Sequence, residues 1–183
     1  MKSSVRPLGA ALLVLLVAAA ILWLMGRPPL HSSGAIELWG SGSKQSQMLV
    51  DWYSASHLVH GFLFYGLLHL VARRRKWEQK LLAATLIEAA WELVENSPVI
   101  IDRYREATIA LGYTGDTILN SVSDITMMAI GFLVARRVPV WASAMIVLVL
   151  ELVPLAIIRD NLTLNVWMLL APTDAVREWQ AGA

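Results

Sequence analysis

Eight ionisable side chains stand inside long apolar stretches of this 183-residue chain: His57, His60, His69, Glu88, Glu92, Glu95, Asp124 and Glu151. Asn120, Ser121 and Ser123 lie beside them. An ionisable group in hydrocarbon costs about 2.5–3.5 kcal/mol on insertion scales, so such groups mark a functional site by default. Imidazole nitrogen and carboxylate oxygen are ligands for zinc, iron or manganese, and helical bundles hold metals with His at i, i+3 and acids from neighbouring helices. An open coordination position would activate water for hydrolysis. On this reading His57, His60, Glu92 and Asp124 are candidate ligands of a divalent metal such as zinc. Glu88 or Glu95 is the candidate general base, and Asn120 completes the candidate catalytic set. The chain has no cysteine, so thiolate metal sites, thiol nucleophiles and disulfides are excluded. The same polar groups have a second use, since interhelical hydrogen bonds averaging ~0.6 kcal/mol fix helix register without any chemistry.

The elements that must position these groups follow from composition. Hydrophobic residues make up 57% of the chain and charged ones 16%, against roughly 25% charged in an ordinary soluble domain. A spanning helix needs about 20 mostly apolar residues. Five segments approach this: Leu8 to Met25, Trp52 to Ala72, Leu81 to Ser97, Thr117 to Ala135 and Val140 to Ile158. The expected fold is all-α, a single membrane bundle of about five transmembrane helices with short interfacial helices. The first segment resembles a signal peptide in its basic start and its Ala18-Ala19-Ala20. Its apolar run continues to Met25, however, which favours a retained anchor over a cleaved leader.

Between the spans, Gly26 to Val50 carries Pro28-Pro29 and a Ser/Gly-rich stretch and is expected to be a mobile loop. Ile100 to Leu111 has the spacing of an amphipathic interfacial helix stopped by Gly112. Leu162 to Gln180 forms a second interfacial segment, too short to cross and broken at Pro172, with Thr173 placed to cap a final helix. Asp116, after Gly115, is placed to cap the fourth span.

Orientation comes from the basic residues. Lys2 and Arg6, then Arg73 to Lys76 with Lys80, then Arg136 and Arg137 fall on one side if there are five crossings. Retention of Lys and Arg in the cytoplasm puts the N-terminus inside and the C-terminus outside, in the inner membrane of a two-membrane cell. At ~1.5 Å of rise per residue, His57, His60, Glu92, Asn120, Asp124 and Glu151 then share one layer, about 5–10 Å below the outer surface. Residues three or four apart share a helix side, so His57/His60/Gly61, Glu88/Glu92/Glu95 and Asn120/Asp124 are three stripes that can face one another.

Several stretches carry a family resemblance. Asp51-Trp52-Tyr53-Ser54 with His57-x-x-His60-Gly61-Phe62, Ile87-Glu88 through Trp91-Glu92 to Glu95-Asn96-Ser97-Pro98, and Ile101-Asp102-Arg103-Tyr104-Arg105-Glu106-Ala107-Thr108 are three of them. Gly115-Asp116-Thr117, Asn120-Ser121-x-Ser123-Asp124 and Arg159-Asp160-Asn161-Leu162-Thr163-Leu164-Asn165 are the others. In that order, from about Gly26 to Gln180, they resemble an uncharacterised family of small bacterial multi-pass membrane proteins of unknown function. The resemblance implies an inner-membrane location and supplies no activity. The pattern His57/His60, Glu88/Glu92, Asp116-Thr117 and Asn120/Asp124 is also similar to VanZ-like and YjdF-like membrane proteins.

Three functions suit such a polar layer. One is an enzyme acting on a lipid or lipid-linked substrate at the outer leaflet, by acid–base chemistry or with a metal. Another is a non-catalytic partner or assembly factor of a second membrane protein complex, and the third is a proton or ion pathway. The apolar inner halves of the spans argue against the pathway. Membrane lipids are the expected partners, and nothing in the charge pattern suggests nucleic acid.

Overall fold

The computed structural model describes residues 2–108, 110 and 112–182. The described residues form helices α1 (Lys2–Leu24), α2 (Ser54–Val71), α3 (Trp77–Glu95), α4 (Pro98–Ala107), α5 (Ile118–Arg137), α6 (Val140–Ile158), α7 (Leu162–Leu170) and α8 (Asp174–Ala181). No strand occurs among them beyond one isolated bridge, Trp39 to Val50. The fold is all-helical, as the long apolar runs require. Among the described residues three helical stretches are long and apolar enough to cross a membrane: Arg6–Leu24, Ile118–Arg137 and Val140–Ile158. Helices α2 and α3 are of similar length and carry the His and Glu stripes, which lower their apolarity.

Sequence chemistry sets the helix ends. Thr117 caps α5 by accepting the Asn120 N–H at 3.2 Å, and Asn161 caps α7 by accepting the Leu164 N–H at 2.8 Å. Pro98 sits at the first position of α4, where its missing N–H has no helical partner to lose. The expected cap at Asp116 is therefore displaced by one residue, because the Thr117 hydroxyl reaches the first turn and the Asp116 carboxylate is engaged elsewhere. Helix α4 ends at Ala107, short of the expected stop. Thr108 turns extended, and its hydroxyl both donates to the Tyr104 carbonyl (2.7 Å) and accepts the Ala110 N–H (3.0 Å). Ile109 and Leu111 of the expected helix lie outside the described residues.

Neighbours in sequence are not the tightest neighbours in space. Helix α1 lies on α3 and α5 through Ala18, Ala89 and Ile125, while α2 packs most extensively on α5. The α2–α5 contact is close because it is made by glycines. A Cβ on Gly61 would stand 2.1 Å from the Met128 carbonyl oxygen, and one on Gly131 would stand 2.2 Å from that of Leu58. Small residues let helix backbones approach this closely, which is how helices in an apolar surrounding gain packing contacts. Leu81, Ala84, Met128 and Phe132 fill the space below, with the Tyr65 ring edge-on to Phe132.

The segment between α1 and α2, expected to be mobile, is tied down over the end of the bundle. The carbonyls of Pro28 and Pro29 accept the Ile118 and Leu119 N–H groups, and that of Ser46 accepts the Thr117 N–H (2.9, 3.2 and 3.1 Å). Those of Ile118 and Leu119 are first-turn donors of α5 that no residue of the helix can satisfy. Met48 is fully buried, and its carbonyl accepts the Asn120 side-chain amide at 2.9 Å.

Candidate functional site

Beneath that loop α2, α3 and α5 bring their ionisable stripes together. His57 stands at the centre. Its Nδ1 is 2.6 Å from Glu88 Oε1 and 3.6 Å from Glu92 Oε1, and its Nε2 is 3.8 Å from Asp124 Oδ2. His60, one turn along α2, places Nδ1 3.0 and 3.1 Å from the two Glu88 oxygens. His57, Glu88, Glu92 and Asp124 are all buried. Glu88, expected as a base, is thus closer to both imidazoles than either Glu92 or Asp124, the carboxylates expected as ligands.

Among the described residues two groups of three could hold a metal ion, His57, His60 and Glu88, and His57, Glu92 and Glu95, each offering one ligand atom within 4.8 Å of the others. The second group contains an anomaly. Glu92 has no exposure, and among the described residues neither of its carboxylate oxygens accepts a hydrogen bond. A buried polar atom without a partner is costly and calls for a ligand, an ion or a water. Asp124 lies on the far side of His57, and the Ser54 hydroxyl donates to it at 3.1 Å. At 3.8 Å from His57 Nε2 it stands as an ion-pair partner and not a hydrogen-bond acceptor, while Nδ1 is engaged by Glu88.

A cavity of about 290 Å³ adjoins the cluster and is lined by His57, His60, Glu88, Glu95, Asn120 and Asp124 together with Trp91 and three tyrosines. Each tyrosine hydroxyl donates to a carboxylate: Tyr104 to Glu95 (2.8 Å), Tyr113 to Asp116 (3.0 Å) and Tyr53 to Asp160 (2.8 Å). Sequence reasoning gave these tyrosines no role. Their signal lay in recurrence, since each falls within or beside an acid-rich motif at the same end of the bundle. Asp116 is held on its other side by Asn96, whose amide donates at 2.8 Å and whose carbonyl accepts the Asp116 N–H at 2.7 Å. Burial pushes the Asp116 carboxyl up to about 6, against the Asn96 and Tyr113 hydrogen bonds that lower it. Burial likewise raises Asp51 and Asp160 above the usual range. A second cavity of about 740 Å³, under the loop, shares Ser46, Tyr53 and Tyr113 with the first as a common wall.

Glu151, expected in the same layer, serves α7 instead. Its carboxylate accepts the Leu162 and Thr163 N–H groups at 3.2 and 3.1 Å, satisfying the helix start. His69 packs against the Tyr65 ring away from the cluster.

A profile described as "Protein of unknown function (DUF2585)" matches residues 22–182. The chain belongs to this family. The DUF2585 member described here is 52% identical over 176 residues to the UPF0314 protein of Rhizobium johnstonii, covering 94% of this chain and 90% of the relative. It is 52% identical over 180 residues to that of Agrobacterium fabrum (97% and 91%) and 51% identical over 176 to that of Sphingopyxis alaskensis (94% and 93%). The uncharacterised family implied by the motifs is therefore the one found. No solved structure matches the chain.

Proposed function

We propose that this DUF2585 protein is an inner-membrane enzyme that crosses the bilayer five times, N-terminus inside and C-terminus outside. It would use a divalent metal at His57, Glu92 and Glu95 to cleave an ester or phosphoester of a lipid or lipid-linked substrate in the outer leaflet. The observation that carries the reading is Glu92, a fully buried carboxylate with no hydrogen bond, 3.6 Å from His57 in a metal-compatible trio. The topology has support from Arg136, whose guanidinium lies over the Trp77 ring at 4.5 Å. That contact puts the basic end of α5 beside the start of α3, where Arg73 to Lys76 precede it, as retention of basic residues in the cytoplasm demands.

The residues divide the work as follows. His57, Glu92 and Glu95 would hold the ion, with the Asp124 carboxylate 3.8 Å from His57 Nε2 as its charge partner. A bound divalent ion would polarise the scissile group and acidify water. Glu88, paired with His60, takes the proton of the attacking water. As the water oxygen bonds to the acyl carbon or phosphorus and the bond to the leaving oxygen breaks, the His60–Glu88 pair returns that proton to the leaving oxygen.

Elemental analysis of protein purified in mild detergent tests this. Near-stoichiometric zinc, iron or manganese is expected in the wild type, with loss in Glu92→Gln, which keeps the side-chain shape. Metal-free wild type overturns the reading.

A further inference from the structure

The 290 Å³ cavity has an uneven chemistry that specifies more than a lipid. Its walls carry Glu88, Glu95, Asp116 and Asp124, and among the described residues no Lys or Arg lines it. An anionic headgroup would face four carboxylates with no Lys or Arg to offset them. Trp91 lies on α3 one turn from both Glu88 and Glu95, on the same side of the helix. Beyond it the Tyr104 and Tyr113 rings meet edge to face, centroids 5.2 Å apart, with their hydroxyls turned to Glu95 and Asp116. Aromatic faces backed by carboxylates attract organic cations, substituted ammonium above all.

The cavity also opens sideways. Ile87 and Val166 both line it and are exposed, at 44% and 43%, so its rim reaches the apolar outer surface between α3 and α7. A cavity of about 290 Å³ with an apolar rim suits a compact polar headgroup whose chains lie along the exposed surface.

Resting on the proposed outer-leaflet function, we propose that the cavity selects a phospholipid with an ammonium headgroup. The ammonium lies against Trp91, Tyr104 and Tyr113 beside Glu95 and Asp116, the phosphate turns towards His57, and the chains leave past Ile87 and Val166.

The test titrates dihexanoyl phosphatidylcholine, phosphatidylethanolamine and phosphatidylglycerol into protein in dodecyl maltoside, by calorimetry, with metal content measured on the same sample. The choline or the ethanolamine lipid is expected to bind at least tenfold more tightly than the glycerol lipid, and the stronger of the two identifies the ammonium. Trp91→Leu weakens that binding by about tenfold, and Trp91→Phe, which keeps an aromatic face, stays within about threefold of wild type. Asp116→Asn should give a loss like that of Trp91→Leu and serves if the latter does not fold. Equal affinity for the three lipids, preference for the glycerol lipid, or a folded Trp91→Leu protein with unchanged affinity overturns the proposal. Preference without bound metal supports the ammonium assignment and removes the metal. Bound metal without preference overturns the ammonium assignment alone.

Discussion

Gly61 is the position where one methyl group acts most strongly on the site. Alanine there would put its Cβ 2.1 Å from the Met128 carbonyl oxygen, 2.5 Å from the Phe132 nitrogen and 2.8 Å from the Gly131 carbonyl carbon. All three are backbone atoms of α5, so no side chain can swing away. Restoring an ordinary contact of about 3.4 Å requires α2 and α5 to separate by roughly 1.3 Å. His57 lies one turn before Gly61, and Asp124 one turn before Met128. A rigid separation would therefore carry His57 Nε2 and Asp124 Oδ2 from 3.8 Å to roughly 5 Å. Two terms compete in the stability. Overpacking costs ~1–3 kcal/mol or more, while alanine in place of glycine inside a helix gains ~0.5–1 kcal/mol. Gly66, on the same helix with nothing within 4 Å of its virtual Cβ, isolates the second term. Unfolding in mixed micelles should show Gly66→Ala stabilised by about 0.5–1 kcal/mol and Gly61→Ala destabilised by about 2 kcal/mol. A Gly61→Ala protein as stable as Gly66→Ala would refute the close crossing of α2 and α5 and the site geometry built on it.

Three further substitutions test other parts of the design. Asp116 has its carboxyl pushed from an ordinary 3.8 up to about 6, so the folded state binds the extra proton. The Asp116 contribution to stability is fully present below pH ~4 and is lost as pH rises through 6, about 3 kcal/mol in all. Asp116→Asn should flatten that slope between pH 4 and 7.5, and identical slopes in variant and wild type would remove Asp116 as its source. Thr117→Ala deletes the α5 cap and the hydroxyl bond to the Gln47 carbonyl, at a cost of about 1–2 kcal/mol, whereas Thr117→Ser should stay within ~0.5 kcal/mol of wild type. Glu151→Gln weakens the charge-assisted bonds at the start of α7, worth about 2 kcal/mol, and should speed amide exchange at Leu162 and Thr163. Unchanged exchange there would mean that Asn161 alone holds the helix start.

The helical class was readable because apolar runs of spanning length leave few alternatives. The stripes His57/His60, Glu88/Glu92/Glu95 and Asn120/Asp124 were readable because helix periodicity puts residues three and four apart on one side. Periodicity says which side a residue takes and nothing about what faces it. The pairing of α2 with α5 across Gly61 and Gly131 was therefore hidden, as was the closer approach of Glu88 than Glu92 to His57. Asp116 and Glu151 illustrate a second limit. The sequence places Asp116 as the cap of α5 and Glu151 in the polar layer, and each carboxylate is taken up by another donor set: Asn96 with Tyr113 for one, the start of α7 for the other. The loop from Gly26 to Val50 shows a third. Its Pro, Gly and Ser content indicates turns, but its order comes from unsatisfied N–H groups of α5 about 70–90 residues further on.

The crossing of α2 by α5 also has a consequence for synthesis. Helix α2 is complete at Val71, and its closest partner ends at Arg137. At ~5–20 residues per second the ribosome needs roughly 3–13 seconds to deliver the second after the first. During that interval His57 has Glu88 of α3 to hold, yet the flat strip around Gly61 has nothing against it. A nascent chain stalled after α3 would present that bare strip to whatever quality-control machinery samples it, making the arrival of α5 the step that commits the chain to its final form.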